Sequence, residues 1–354
     1  ECLPIIDRIN NWERDDYSDI IFKLEDFIIN QRNYDLLLDI YKNSEERLVK
    51  RKLFNYLVEI NSADDLIINI GLRSKDIIII KSAIRKINEI INNDNIELIF
   101  RVLKRNKNVV CRLAAIDVLE KMNVPYFNKE LILFVYDKSY TLRDYSRYKL
   151  NKKGISNFRE MYLGKIDKSN YNLYAIISGI KETGKDEDTK YILKYLNHEN
   201  VKVRKIALST ICKLNPKEGI QYALDKLISD NISESNNARK CLDYKILLLD
   251  ENMIFELFEL EGYEEHVYIN LIKLMNYYPK WNAIAQLLKT LKISSSTYIQ
   301  VINDEIELWI NKFNRSFSTP RKEQVDNIIK LFMMANNKLS SNNSFQISDI
   351  LKKF

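Results

Sequence analysis

Asn200–Leu214 reads NVKVRKIALSTICKL. Val203, Arg204, Ala207, Ile211 and Leu214 follow the spacing V-R-x-x-A-x-x-x-L-x-x-L. That spacing puts the apolar members on one stripe of a helix. The stripe recurs along the chain. With Ala207 as anchor, equivalent positions are Leu53, Ala83, Ala115, Ser146 and Ile176, so successive anchors stand 30, 32, 31, 30 and 31 residues apart. Chance apolar periodicity does not keep such a register. A weaker form continues at Ala238, Leu271 and Ile302.

Between anchors lies a second apolar segment in most units. Leu36–Tyr41, Leu66–Leu72, Ile96–Leu103, Leu131–Tyr136, Tyr191–Leu196, Ile220–Ile228, Ile254–Leu260 and Ile284–Leu291 are of this kind. Each unit is then helix, turn, helix, and neither helix can bury its apolar face alone. The expectation is an all-α chain, an α-α superhelix of about nine helical hairpins. Residues 1–33 are expected as capping helices, residues 34–335 as the repeat solenoid, and residues 336–354 as a tail. That tail has a Ser/Asn-rich turn at Ser340–Ser344 and a short terminal helix.

Composition agrees. Seven Gly and five Pro in 354 residues argue against a turn-rich β chain, and 46% hydrophobic residues can fill a large core. The four cysteines have no C-x-x-C pair, so buried free thiols in a reducing compartment are expected. No run of about 18 uncharged apolar residues exists, so no membrane span is expected and the location is read as cytoplasmic. The chain starts at Glu1 rather than Met, which leaves an upstream anchor open.

The signatures Val203-Arg204-x-x-Ala207, Leu142-Arg143-x-x-Ser146 and Cys111-Arg112-x-x-Ala115 resemble the second helix of the HEAT-repeat family. The likeness is to its short form, with about 31 residues per unit, as in the phycobilisome-lyase-type repeats. Lys50, Ile80 and Leu173 replace the arginine in three units. The resemblance implies an armadillo-like α solenoid whose usual work is protein binding. For Arg112, Arg143 and Arg204 a structural job between neighbouring units is expected.

Catalysis finds little support. HEAT-like hydroxylases hold two irons through several His-Glu pairs, whereas this chain has one, His198-Glu199, and two histidines in all. H-E-x-x-H, a nucleophile elbow and a Gly-rich phosphate loop are absent. No catalytic residue, metal or cofactor is therefore assigned. Some HEAT-like proteins excise alkylated bases from DNA with Trp, Tyr and an acidic residue in a basic groove. Asp117 and Asp144 could serve there, but Trp12, Trp281 and Trp309 lie towards the chain ends.

Charge is uneven. Residues 101–168 hold 16 Lys/Arg against 7 Asp/Glu, while residues 1–100 hold 14 against 19. Ten of 21 tyrosines fall between Tyr126 and Tyr195. Positions two before and two after each anchor should be exposed: Lys81/Arg85, Leu113/Asp117, Asp144/Tyr148, Tyr174/Ser178 and Lys205/Ser209 among them. Cations, amides and tyrosines in such a row suit a peptide better than bare phosphates. The expectation is a non-catalytic scaffold that binds an acidic protein or peptide. Its candidate contacts are Arg85, Arg143, Tyr145, Arg147, Tyr148, Lys149, Lys152, Tyr174 and Lys205. A nucleic-acid binder, such as an alkylated-base DNA glycosylase, is the alternative.

Overall fold

The computed structural model describes residues 34–60, 65–87, 94–168, 172–243, 245–250, 252–315 and 318–354. The capping helices expected over 1–33, with Trp12, lie outside these. The described residues form twenty α-helices with short 3-10 turns and no strand, so the chain is all-α. Its contacts divide it into two compact units, Glu1–Ser156 and Asn157–Phe354.

The first unit contains four described helical hairpins. Its helices are α1 (Tyr34–Asn43), α2 (Arg47–Ile60), α3 (Asp65–Arg73), α4 (Ile77–Ile87), α5 (Asp94–Arg105), α6 (Val109–Lys121), α7 (Phe127–Phe134) and α8 (Tyr140–Asn151). Each odd-numbered helix packs on the even-numbered one that follows. The even-numbered helices α2, α4, α6 and α8 also pack side by side, each against the next. Helix α4 explains why packing dominates here. Its sequence, IIIIKSAIRKI, opens with four β-branched residues that cost a few tenths of a kcal/mol each in a helix. Ile79, Ile80, Ala83, Ile84 and Ile87 are buried, and each buried Ile contributes about 2 kcal/mol. Burial wins.

The second unit repeats the plan. It comprises α9 (Phe158–Leu163), α10 (Leu173–Thr183), α11 (Thr189–Ile192, extended by a 3-10 turn to Asn197), α12 (Val201–Leu214), α13 (Pro216–Leu227) and α14 (Ile232–Leu242). It continues with α15 (Met253–Glu259), α16 (Glu265–Met275), α17 (Lys280–Ile293), α18 (Ser296–Lys312), α19 (Lys322–Ala335) and α20 (Ser341–Leu351). The row α10, α12, α14, α16, α18 and α20 packs neighbour to neighbour. Helix α9 is a first helix that the periodicity did not single out. Ser340–Ser344, expected as a turn, instead begins α20: the Ser340 hydroxyl accepts from the Asn343 N–H at 3.2 Å.

All nine anchors, from Leu53 to Ile302, are buried, none more than 1% exposed. A second register accompanies them. Seven residues before an anchor stand Asp76, Asn108, Ser139, Asn200, Asn231, Glu264 and Ser295, each immediately preceding a helix of the second row. Asp76 Oδ1 accepts from Ile78 N–H at 2.8 Å, and Asn108 Oδ1 accepts from Val110 at 2.9 Å and Cys111 at 3.3 Å. Asn200 and Asn231 cap α12 and α14 in the same way. Each cap satisfies N–H groups that a helix start leaves without partners. No helix among the described residues is long and apolar enough to cross a membrane.

Candidate functional site

Within the first unit, α4 and α6 flank an open groove of about 500 Å³. Ile78, Ile84 and Val118 form its apolar part, and Lys81, Arg85 and Lys121 supply its cations. Lys81 and Arg85 stand on the face of α4 opposite the buried Ile79–Ala83–Ile87 stripe, so both are exposed. Lys121 ends α6, where a cation meets the negative end of the helix dipole. None of the three takes part in an ion pair with a carboxylate among the described residues.

The one carboxylate in this groove, Asp117, is already engaged. Lys149 Nζ lies 2.9 Å from Asp117 Oδ1 and 2.6 Å from Glu120 Oε2, and the Tyr145 hydroxyl donates to Asp117 Oδ1. Burial pulls the Lys149 ammonium down. Glu120, Asp117 and the Tyr145 hydroxyl more than offset this and hold it above the ordinary lysine value. The Tyr145 phenol is raised by burial and by the same carboxylate. Lys149 is thus an internal charge partner.

Helix α8 and the residue that caps its C-terminus, Lys152, assemble four of the expected residues. The Tyr145 and Tyr148 rings stack at 6.2 Å, Lys149 Nζ sits 5.0 Å from the Tyr145 centroid, and Lys152 Nζ sits 4.4 Å from that of Tyr148. Tyr148 and Lys152 are exposed and lie on the solvent side of the helix.

Two expected contacts require correction. Arg143 is 3% exposed; its Nη1 donates to the carbonyls of Asp137 and Lys138 at 2.7 and 3.0 Å. Arg147 is 8% exposed and pairs with Asp144 at 3.2 Å. The carbonyls of the turn that leads into α8 hold the Arg143 guanidinium inward, and both arginines are buried. Ser178, expected in the exposed row, is also buried, its hydroxyl donating to the Tyr174 carbonyl at 2.7 Å.

Tyr174 and Lys205 belong to the second unit. Tyr174 is exposed in the first turn of α10. Lys205 borders a small depression with Arg204, Glu234 and Asn237, and its carbonyl accepts from Asn237 Nδ2 at 3.3 Å. Lys121 was absent from the expected contacts. It lies six residues after the anchor Ala115, outside the two-before, two-after rule used to choose the exposed row.

Much of the basic charge of residues 101–168 is paired internally. Lys104 meets Glu130 at 2.8 Å, and Arg112 meets Asp137 at 2.6 Å while donating to the Leu103 carbonyl at 2.7 Å. His198 is a turn residue whose Nδ1 accepts from the Asn200 N–H at 3.0 Å. Among the described residues no cluster of three or more His, Cys, Asp or Glu side chains could hold a metal ion.

No family model matches this sequence. None of the curated proteins compared with it is similar either. A solved structure described as an engineered protein from the Northeast Structural Genomics Consortium is similar over 88% of this chain and 90% of its own, at 13% identity and a TM-score of 0.29. A likeness that low carries no information about function.

Proposed function

We propose that this chain is a HEAT-like repeat scaffold that binds an acidic protein segment, without catalysis, along the groove between α4 and α6. The observation that carries this reading is the set Lys81, Arg85 and Lys121. These cations, without carboxylate ion-pair partners among the described residues, line a groove whose carboxylate Asp117 is held by Lys149 and Tyr145. An acidic peptide would lay an aliphatic side chain on Ile78, which is 45% exposed, and place its carboxylates among the three cations. Tyr148 and Lys152 on α8 offer an aromatic and a further cation. Charge complementarity of this kind supplies specificity and association rate.

The base-excision alternative is less well supported. Trp281 and Trp309 are 4% and 5% exposed and packed edge to face at 6.1 Å, so neither is free to stack on a base. Asp144 is paired with Arg147, and Asp117 with Lys149.

The test is charge reversal of Lys81, Arg85 and Lys121 to Glu, read by fluorescence anisotropy of a labelled Glu-rich peptide with aliphatic residues. Binding by the parent and its loss in the variant, with helicity unchanged, is the expected result. Equal binding by both removes the groove from consideration.

A further inference from the structure

In the second unit α15 packs on α17 and α17 on α19, and the three helices border an open groove of about 670 Å³. Its two sides carry opposite charge. Glu259 of α15 stands on one side, and Lys292 of α17 and Lys330 of α19 stand on the other. The sorting is written in the sequence: from Asp250 to Glu265 there is not one basic residue, and from His266 to Asn303 not one acidic residue. Glu256 lies one helical turn before Glu259, and these two glutamates, Lys292 and Lys330 are all exposed. None of the four takes part in an ion pair among the described residues. Between the charges lie Ile293 and Met334, each 46% exposed, with Met333 beside them at 73%. Exposed apolar side chains rimmed by charge mark a contact surface.

We propose that this groove is the contact surface of a two-fold homodimer, and that its occupant is the same groove of a second copy of the chain. A partner that covers it must offer cations to α15, carboxylates to α17 and α19, and apolar side chains between them. The groove itself meets that description. In a two-fold contact the same patch serves on both copies, so residue i meets j and j meets i. Glu256 and Glu259 of one copy then face Lys292 and Lys330 of the other, and the pairing recurs across the axis. A purely acidic segment, of the kind proposed for the groove between α4 and α6, would satisfy the lysines here but would be repelled by Glu256 and Glu259.

Ile293, Met333 and Met334 supply the apolar centre of the contact. The unbranched methionine side chains can adapt to the facing copy. Lys289 Nζ lies 3.7 Å from the centroid of the Phe255 ring, a cation–π contact that ties α17 to α15 and fixes the spacing of the two charged sides. One open groove per copy is a small contact beside the about 1,200–2,000 Å² that stable complexes bury, so association in the micromolar range is expected.

Sedimentation velocity of the full chain, from about 1 to about 100 µM, should show a monomer–dimer equilibrium that weakens as salt is raised. Lys292→Glu with Lys330→Glu should raise the dissociation constant at least about tenfold, and Glu256→Lys with Glu259→Lys should do the same. Mixed in equal amounts, the two double variants should dimerise again, because a copy with two acidic sides then meets a copy with two basic sides. That recovery also shows that both variants are folded. A parent chain that stays monomeric at about 100 µM overturns the proposal. So does a mixture no more associated than either variant alone, or a parent chain that assembles beyond a dimer.

Discussion

Arg204 on α12 reaches Glu234 on α14 with two nitrogens: Nε and Nη2 lie 2.6 and 2.5 Å from Glu234 Oε1, 30 residues further along. Its Nη1 donates to the carbonyls of His198 and Glu199 at 2.7 and 2.9 Å. One guanidinium therefore joins the turn before its own helix to the first turn of the next helix in the row. Arg112 makes the same kind of bridge between the Leu103 carbonyl and Asp137. The planar fork of guanidinium donors reaches all three acceptors from one fixed position.

Arg204→Ala should therefore destabilise the chain by about 2–3 kcal/mol, because it leaves Glu234 and two carbonyls with a lost partner. Arg204→Lys should recover less than half of that. Urea unfolding at neutral pH measures both, and a loss below about 0.5 kcal/mol for the alanine variant would contradict the bridging role.

Ser146 gives a prediction of opposite sign. It occupies an anchor position, is fully buried, and its hydroxyl has no hydrogen-bond partner among the described residues. Ser146→Ala removes a desolvated polar group and adds helix propensity, for a gain of about 1 kcal/mol. A lower melting temperature for this variant would show that the hydroxyl is satisfied in solution.

Gly219 permits the close approach of α13 to α12. A Cβ there would lie 2.4 Å from the Cys212 Cα, which is backbone and cannot rotate away. Gly219→Ala should cost about 2–3 kcal/mol despite alanine's better helix propensity. Thermal unfolding within a degree of the parent would falsify this packing.

Asp76 sets an acid limit on the first unit. Burial raises its carboxyl, but Arg47, Arg51 and the Ile78 N–H together lower it to about 2. Because the folded value lies below the unfolded one, the native state holds fewer protons. This stabilisation is complete above about pH 4 and is lost as pH falls towards about 2. Arg47 is largely exposed, so the contribution is of the order of 1 kcal/mol. Acid titration of Asp76→Asn should lack that component.

The periodicity made the helices legible because their core is a repeated local pattern. The anchors from Leu53 to Ile302 could be placed by counting, and all nine are buried. The caps at Asp76, Asn108, Asn200 and Asn231 obey the same count but escaped a reading confined to apolar residues. Side-chain direction was less accessible. Arg143 and Arg147 sit on an amphipathic helix beside Lys149, and nothing in their spacing says that the carbonyls of Asp137 and Lys138 take up the Arg143 guanidinium. Likewise, the net charge of residues 101–168 hides how many of its cations already have carboxylate partners one unit away, as Lys149 has in Glu120.

The most direct test of the proposed groove is a binding titration of the full chain with a labelled acidic amphipathic peptide, run beside a random DNA duplex at about 50 and about 200 mM salt. The account predicts saturable peptide binding that Lys81→Glu, Arg85→Glu and Lys121→Glu together abolish, and duplex binding that is weaker at both salt concentrations. Tighter binding to the duplex, falling by orders of magnitude between the two salt concentrations, would contradict it and favour a phosphate-tracking surface.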